Sequence, residues 1–399
     1  MKTIKMEMLR EEAASGSGDE RSVADEARSV ADEDRSGVLD EIARALRAKP
    51  FKPHPLFQNG HAQTLVAYAW PRRGRLRELQ TDEERLFEVE PGVRVLVRCR
   101  WHAERRAHPT LLLVHGLEGS SESIYMLSTA LKAHRAGFNV LRLNIRTCGG
   151  TLHLTPTLYN SGMSQDLRAL ISELVARDRL TDIFLGGFSL GGNMSLKLAG
   201  EYGADFPREL KGVAAVSPSV ELAASADAIE RRANWIYQRK FIRSLKRRMR
   251  DAARLYPERY DASGLRRVRT LRQFDELYTA PHGGFRDASD YYARSSALPL
   301  ISRIRVPTLI IHAQDDPFIP FDSLRHPSVS ANPSIILLAP AHGGHVGFVG
   351  DDKRAASEDR FWAENRLIEF CRRMNETQPS GHITREEARE KEQAGRIHD

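Results

Sequence analysis

Ile183-Phe-Leu-Gly-Gly-Phe-Ser189-Leu-Gly-Gly-Asn193 is the stretch on which the fold turns. An apolar run enters it, and a helix-forming run, Met194-Ser-Leu-Lys-Leu-Ala199, leaves it. Gly187-Phe-Ser189-Leu-Gly191 therefore stands between a strand and a helix, the context a nucleophile elbow needs. The serine sits on a tight, strained turn. Glycines two residues to either side let neighbouring backbone approach without Cβ clashes. The helix N-terminus turns its amide dipoles towards any negative charge that develops there.

Working outward, short apolar runs alternate with helix-length amphipathic stretches. The runs are Val93–Val97, Thr110–Val114, Val140–Ile145, Ile183–Leu185, Val213–Val216, Thr308–Ile311 and Ile335–Leu338. They are rich in Val, Ile and Leu without strict polar alternation, as expected for strands covered on both faces. Helices are expected near Ile124–Ala136, Gly162–Ala176, Gly191–Glu201 and Glu358–Arg373. This alternation predicts an α/β fold with a mostly parallel, doubly wound sheet. Between Val216 and Thr308 the rhythm breaks, and the gap reads as a helical insertion capping one end of the sheet.

A serine alcohol needs a base, and the base needs an orienting acid. Downstream, Pro307-Thr-Leu-Ile-Ile-His-Ala-Gln-Asp-Asp-Pro-Phe-Ile-Pro320 is an apolar strand followed by an acidic turn. Asp316 is preferred as the acid by its offset from the strand, with Asp315 as the alternative or as a turn cap. Then Ser334-Ile-Ile-Leu-Leu-Ala-Pro-Ala-His-Gly-Gly-His-Val-Gly-Phe348 ends a strand in a loop with two histidines. His345 is preferred as the base, because Gly343 and Gly344 free the loop to aim it; His342 lies nearer the strand. No third ligand partners these histidines, so no metal site is read. The order Ser189, Asp316, His345 is the one this arrangement requires. A further strand, Thr110–Val114, runs into His115-Gly116. An oxyanion hole is expected from the backbone N–H groups of Leu117 and Leu190, with His115 supporting its loop.

These residues resemble a known family. The strands, the elbow and the Asp and His loops are similar to the α/β-hydrolase fold. More narrowly, several motifs resemble its YheT-like branch, which includes ABHD1/ABHD3-type esterases and lipases and yeast medium-chain acyl ester enzymes. They are His61-Ala-Gln-Thr64, His115-Gly-Leu-Glu-Gly119, Asn144-Ile-Arg146, Gly187-Phe-Ser-Leu-Gly-Gly-Asn193, Asp275-Glu-Leu-Tyr-Thr-Ala-Pro281, Asp290-Tyr-Tyr292, His312-Ala-Gln-Asp-Asp-Pro-Phe318 and His342-Gly-Gly-His-Val-Gly-Phe348. The resemblance covers roughly residues 50 to 373, with the motifs in order. It implies a serine hydrolase of carboxylic esters with short to medium acyl chains, a Ser189, Asp316, His345 triad and no cofactor. An acyltransferase would use the same site. Two positions depart from the pattern: Thr147, where the family usually has glycine, and Asn160, where histidine is common.

The expected organisation is a disordered charged arm over 1–45 and the first part of the core over 50–220. A basic helical cap over 221–303, the second part of the core over 304–374 and a charged tail over 375–399 follow. The arm holds one repeat, Arg21-Ser-Val-Ala-Asp-Glu-Ala then Arg28-Ser-Val-Ala-Asp-Glu-Asp, too short for a coiled coil. The chain has 399 residues, 41% of them hydrophobic, which excludes wholesale disorder. Net charge is +7, yet residues 229–272 alone carry 15 Lys or Arg against 4 Asp or Glu. Basicity is thus local, and no nucleic-acid motif accompanies it. Within that segment Trp235, Ile236, Phe241, Ile242, Leu245 and Met249 recur at helical spacing, predicting a cap helix with its apolar face over the site and a cationic face outward. Attraction to an anionic membrane surface follows as a second use of that face. A non-catalytic membrane-surface protein on a hydrolase scaffold is the rival reading. Three cysteines, Cys99, Cys148 and Cys371, make no disulfide framework and are read as inert thiols in a reducing compartment. The charged start, Met1-Lys-Thr-Ile-Lys-Met-Glu-Met-Leu-Arg10, is read as no secretion signal, so a cytoplasmic location is expected.

Overall fold

The computed structural model describes residues 36–70, 82–351 and 358–377. The chain divides into a small unit, residues 1–49, and a large one, residues 50–399. In the small unit residues 36–47 are helical, with Leu39, Ile42, Ala43 and Leu46 buried along one stripe. That stripe has the 3, 4, 7 spacing of an amphipathic helix, so the arm expected over 1–45 is structured from residue 36. The seven-residue repeat and residues 378–399 lie outside the described residues.

The large unit is built on one eight-stranded sheet. Its strands are β1 (Glu83–Glu90), β2 (Val93–Arg100), β3 (Thr110–Val114), β4 (Asn139–Leu143), β5 (Ile183–Phe188), β6 (Leu210–Val216), β7 (Thr308–Ile311) and β8 (Ile335–Leu338). Their spatial order is β1-β2-β4-β3-β5-β6-β7-β8. β4, β3, β5, β6, β7 and β8 run parallel, and β1 and β2 add an antiparallel edge. Every residue of β3, β4, β5 and β7 is buried, as strands covered on both faces must be. β2 departs from that expectation: Val93, Val95, Val97 and Cys99 are buried while Arg94 is exposed, the alternation of a strand covered on one face.

The order places the site. The chain leaves β3 to one side for β4, then returns to the other side for β5. The carboxyl ends of β3 and β5 thus meet where the winding reverses, and open α/β sheets bind ligands in that crevice.

The helices that matter here are α1 (Gly60–Ala69), α2 (Ile124–Arg135), α3 (Ser164–Ala176), α4 (Leu190–Tyr202), α5 (Leu222–Glu230), α6 (Trp235–Leu255), α7 (Ala288–Ser295) and α8 (Trp362–Thr377). The gap between β6 and β7 holds α5, α6, α7 and several short turns. It has a core of its own, in which Ile242, Leu245, Met249 and Ala252 of α6 pack with Tyr260, Leu265, Val268, Phe274 and Tyr278. Phe241 is half-buried, but Trp235 and Ile236 are exposed. The expectation that these last two face the site is corrected: the cap core engages only the later turns of α6, and its first turn projects past it. No helix among the described residues is long and apolar enough to cross a membrane.

Candidate active site

Ser189 ends β5 and opens α4 with φ +53° and ψ −117°, a conformation that costs a non-glycine residue energy and clusters at functional sites. The surroundings hold it there. Its N–H donates to the Val216 carbonyl at 2.9 Å, and its carbonyl accepts from Asn193 N–H at 3.0 Å. The flanking glycines answer to close approach: a Cβ on Gly191 would run into the carbonyl oxygens of Val114 and His115, and one on Gly187 into that of Gly191. Gly116 lets the loop after β3 press on the elbow, since a Cβ there would lie 3.0 Å from Ser189 Cβ.

His345 Nε2 lies 3.0 Å from Ser189 Oγ, and its Nδ1 lies 2.9 Å from Asp316 Oδ2. Asp316 Oδ1 accepts from the amides of Phe318 at 2.8 Å and Ile319 at 3.1 Å. Burial opposes ionisation of Asp316, but the facing His345, then His312 and the Phe318 amide, outweigh it and hold the carboxyl below its ordinary range. With Asp316 ionised, Nδ1 of His345 carries the proton and Nε2 is free to accept one from Ser189. Burial also pushes His312 down.

The other acid and the other histidine stand outside this chain. Asp315 Oδ1 accepts from the Gly344 amide at 2.9 Å, and His342, exposed, lies 3.3 Å from Asp315 Oδ2. They brace the loop that carries His345. Three residues that the residue chemistry alone did not single out also brace it. Thr64 Oγ1 accepts from the His345 amide at 2.9 Å, and Gln63 Oε1 accepts from the Val349 amide at 2.7 Å. Ser217 Oγ accepts from the Val346 amide at 3.1 Å. These donors are N–H groups of a loop whose Val346 and Phe348 have φ of +54° and +46°, so side-chain acceptors secure backbone that cannot join a ladder. His115 is fully buried. The Ile145 amide donates to its Nε2 at 3.1 Å, so Nδ1–H donates to the Gly116 carbonyl at 2.8 Å. Burial lowers it to about 4, which leaves it a neutral strut of its loop.

Above Ser189 and His345 opens a cavity. Leu117 and Leu190 border it beside the serine, and Leu158, Leu222, Ile229, Phe241, Leu245, Met249, Leu271, Phe274 and Phe318 make its walls apolar. The cap is fastened over it by Arg248 of α6. Its Nε donates to Glu118 Oε1 at 2.9 Å, and its Nη1 donates to the Thr147 carbonyl and, at 3.2 Å, to Thr147 Oγ1. Tyr159 OH and Ser244 Oγ donate to the same Glu118 carboxylate. Glu118 follows Leu117 directly, so the loop after β3 is tied to the cap. Thr147 has φ +62°, the conformation glycine would take without strain; its hydroxyl gives Arg248 an acceptor that glycine lacks. Asn160, the other departure, borders the cavity and uses Oδ1 to accept from the Gly162 amide at 2.9 Å. At the far end Asp275 is buried, takes hydrogen bonds from Thr279 at 2.6 Å and Tyr292 at 2.7 Å, and is raised by burial to about 6. Cys148 is buried and its thiol is pushed up to about 12 by burial, unsuited to act as a nucleophile. Among the described residues no three His, Cys, Asp or Glu side chains are grouped to hold a metal ion.

A family model described as the alpha/beta hydrolase fold matches residues 109–352. The Escherichia coli (strain K12) protein YheT is 32% identical over 325 residues, 80% of this chain and 92% of its own. This chain belongs to the α/β-hydrolase family, in its YheT-like branch. A monoacylglycerol lipase of Saccharomyces cerevisiae is 31% identical to this hydrolase over 67% of this chain and 59% of its own. A phospholipase, ABHD3 of Mus musculus, is 27% identical over 62% and 60%.

Proposed function

We propose that this α/β-hydrolase cleaves carboxylic esters of short to medium acyl chain through an acyl-enzyme on Ser189. What supports the reading is the unbroken hydrogen-bonded chain from Ser189 Oγ through His345 to the buried Asp316 carboxylate. His345 Nε2 takes the hydroxyl proton as Ser189 Oγ attacks the ester carbonyl carbon, while Asp316 stabilises the imidazolium. The amides of Leu117 and Leu190 stabilise the tetrahedral oxyanion. The imidazolium returns its proton to the leaving alkoxide, and alcohol departs. Water then gives a proton to His345 and its oxygen to the acyl carbon, releasing the acid and restoring the serine. The apolar cavity walls favour an alkyl acyl chain. No cofactor is part of the reading. The buried free thiols of Cys99, Cys148 and Cys371 suit a reducing, cytoplasmic setting.

Hydrolysis of p-nitrophenyl esters from acetate to palmitate tests this. The expected profile peaks at one chain length and vanishes in Ser189→Ala. Rates equal in wild type and variant would sink it, as would failure of a small phosphonate to label Ser189 in folded protein.

A further inference from the structure

The first turn of α6 and the outer face of α1 present large apolar side chains to solvent. Leu65 is 53% exposed, Tyr68 70%, Trp235 56% and Ile236 67%. Surface leucines and tryptophans scattered singly need no explanation, but a cluster does. The two helices that carry them meet there. Lys240 Nζ lies 4.1 Å from the centre of the Tyr68 ring, and His61 stacks on Tyr237 at 5.8 Å and 9°. Leu65 and Tyr68 are one turn apart on α1, and Ile236 and Lys240 one turn apart on α6, so each pair shares a face.

Cationic side chains surround the cluster. Arg231, Arg232, Arg239, Lys240, Arg243 and Arg247 are exposed, and among the described residues no carboxylate makes an ion pair with any of them. Arg239 lies over the Trp235 ring, 5.4 Å from its centre. The cluster also borders the site. Tyr237 packs on Phe318 at 4.5 Å, and Phe318 on His345 at 4.7 Å. Two rings separate the exposed face from the histidine beside Ser189.

We propose that the outer face of α1 and the first half of α6 dock on an anionic lipid surface. Leu65, Tyr68, Trp235 and Ile236 enter the interface, and the surrounding arginines with Lys240 meet the head groups. Exposed aromatic and aliphatic side chains ringed by unpaired cations match the two layers of a membrane surface, apolar below and anionic above. Phe318 and His345 both line the cavity, so docking in this orientation sets the lipid two rings from the space that would take an acyl ester. The purpose assigned to the contact rests on the ester-hydrolase reading; the contact itself does not.

The test is flotation of the full chain as Ser189→Ala with vesicles of phosphatidylcholine alone or mixed with phosphatidylglycerol. Binding is expected only to the mixed vesicles. Tyr68→Ser with Ile236→Ser is expected to weaken it at least about tenfold, from the lost burial of two large side chains. Arg239→Gln with Arg243→Gln is expected to weaken it by about fivefold per charge removed. Hydrolysis of a water-soluble short-chain ester by the otherwise wild-type Tyr68→Ser/Ile236→Ser protein should match that of the wild type. Equal binding to both vesicle types overturns the proposal, as does binding that survives either pair of substitutions. Vesicle binding with these dependences in a chain that hydrolyses no ester would sustain the docking face and sink the catalytic reading instead.

Discussion

Arg248→Met is the perturbation on which the cap-to-loop connection can be judged. The Arg248 side chain is 16% exposed and that of Glu118 6%. Removing the arginine leaves that carboxylate with the hydroxyls of Tyr159 and Ser244 but no cation. Breaking a buried ion pair by deleting one partner costs about 3–5 kcal/mol, because a desolvated charge is left behind. The residual exposure of Arg248 sets the expectation at the lower end, about 3 kcal/mol. Glu118→Leu should cost a similar amount, since it strands the guanidinium on the Thr147 carbonyl. Replacing both removes two charges together and should be far milder than the sum of the singles. A double-mutant cycle should therefore give a coupling energy of about 2–3 kcal/mol. Urea unfolding of the four proteins measures it, provided the slopes agree and the transition is two-state. Additive single effects, with coupling near zero, would refute the reasoning. The same proteins should lose kcat for ester hydrolysis more than they change KM, because Leu117, the proposed oxyanion donor, precedes Glu118.

Two further outcomes are expected. Asp316→Asn should lower kcat by about 10^4, because the amide favours the wrong imidazole tautomer, while Asp315→Asn should keep most of the activity; comparable losses in both, read by steady-state kinetics, would undo the division of labour between the two acids. Asp275, raised to about 6, holds its proton more tightly folded than unfolded. Raising the pH from about 4 to about 6 should thus cost stability, by up to about 3 kcal/mol at 1.36 kcal/mol per pH unit. Asp275→Asn should remove that slope in chemical denaturation across this range, and an unchanged slope would reject the assignment.

The three members of the proposed triad were legible as candidates in the sequence because each is local to a strand end. The elbow, the acidic turn and the histidine loop each follow an apolar run, in the required chain order. The side chains that hold them were not. Thr64 meets the His345 amide across 281 residues and Gln63 the Val349 amide across 286, and no local pattern records such distances. β1 was missed because Glu83, Glu84 and Arg85 hide its alternation. Its arginine is there to reach Glu173 of α3 at 2.6 Å and Asp178 at 2.8 Å. Helical spacing grouped Ile242, Leu245 and Met249 of α6, which the structure buries together. It could not say that Trp235 and Ile236 overhang the cap core, because that depends on where the partner residues of the cap end.

The grip of Gln63 and Thr64 on the histidine loop reaches beyond chemistry to the question of what the smallest working piece is. The stretch that the family model matches, 109–352, contains Ser189, Asp316 and His345. It keeps Asp315 and Ser217, which brace the histidine loop, but lacks Thr64, which fastens the His345 amide, and Gln63, which fastens that of Val349. A fragment trimmed to that match would keep every atom of the proposed triad and surrender part of the anchorage of one, so the smallest active fragment is expected to start no later than Asn59, the cap of α1.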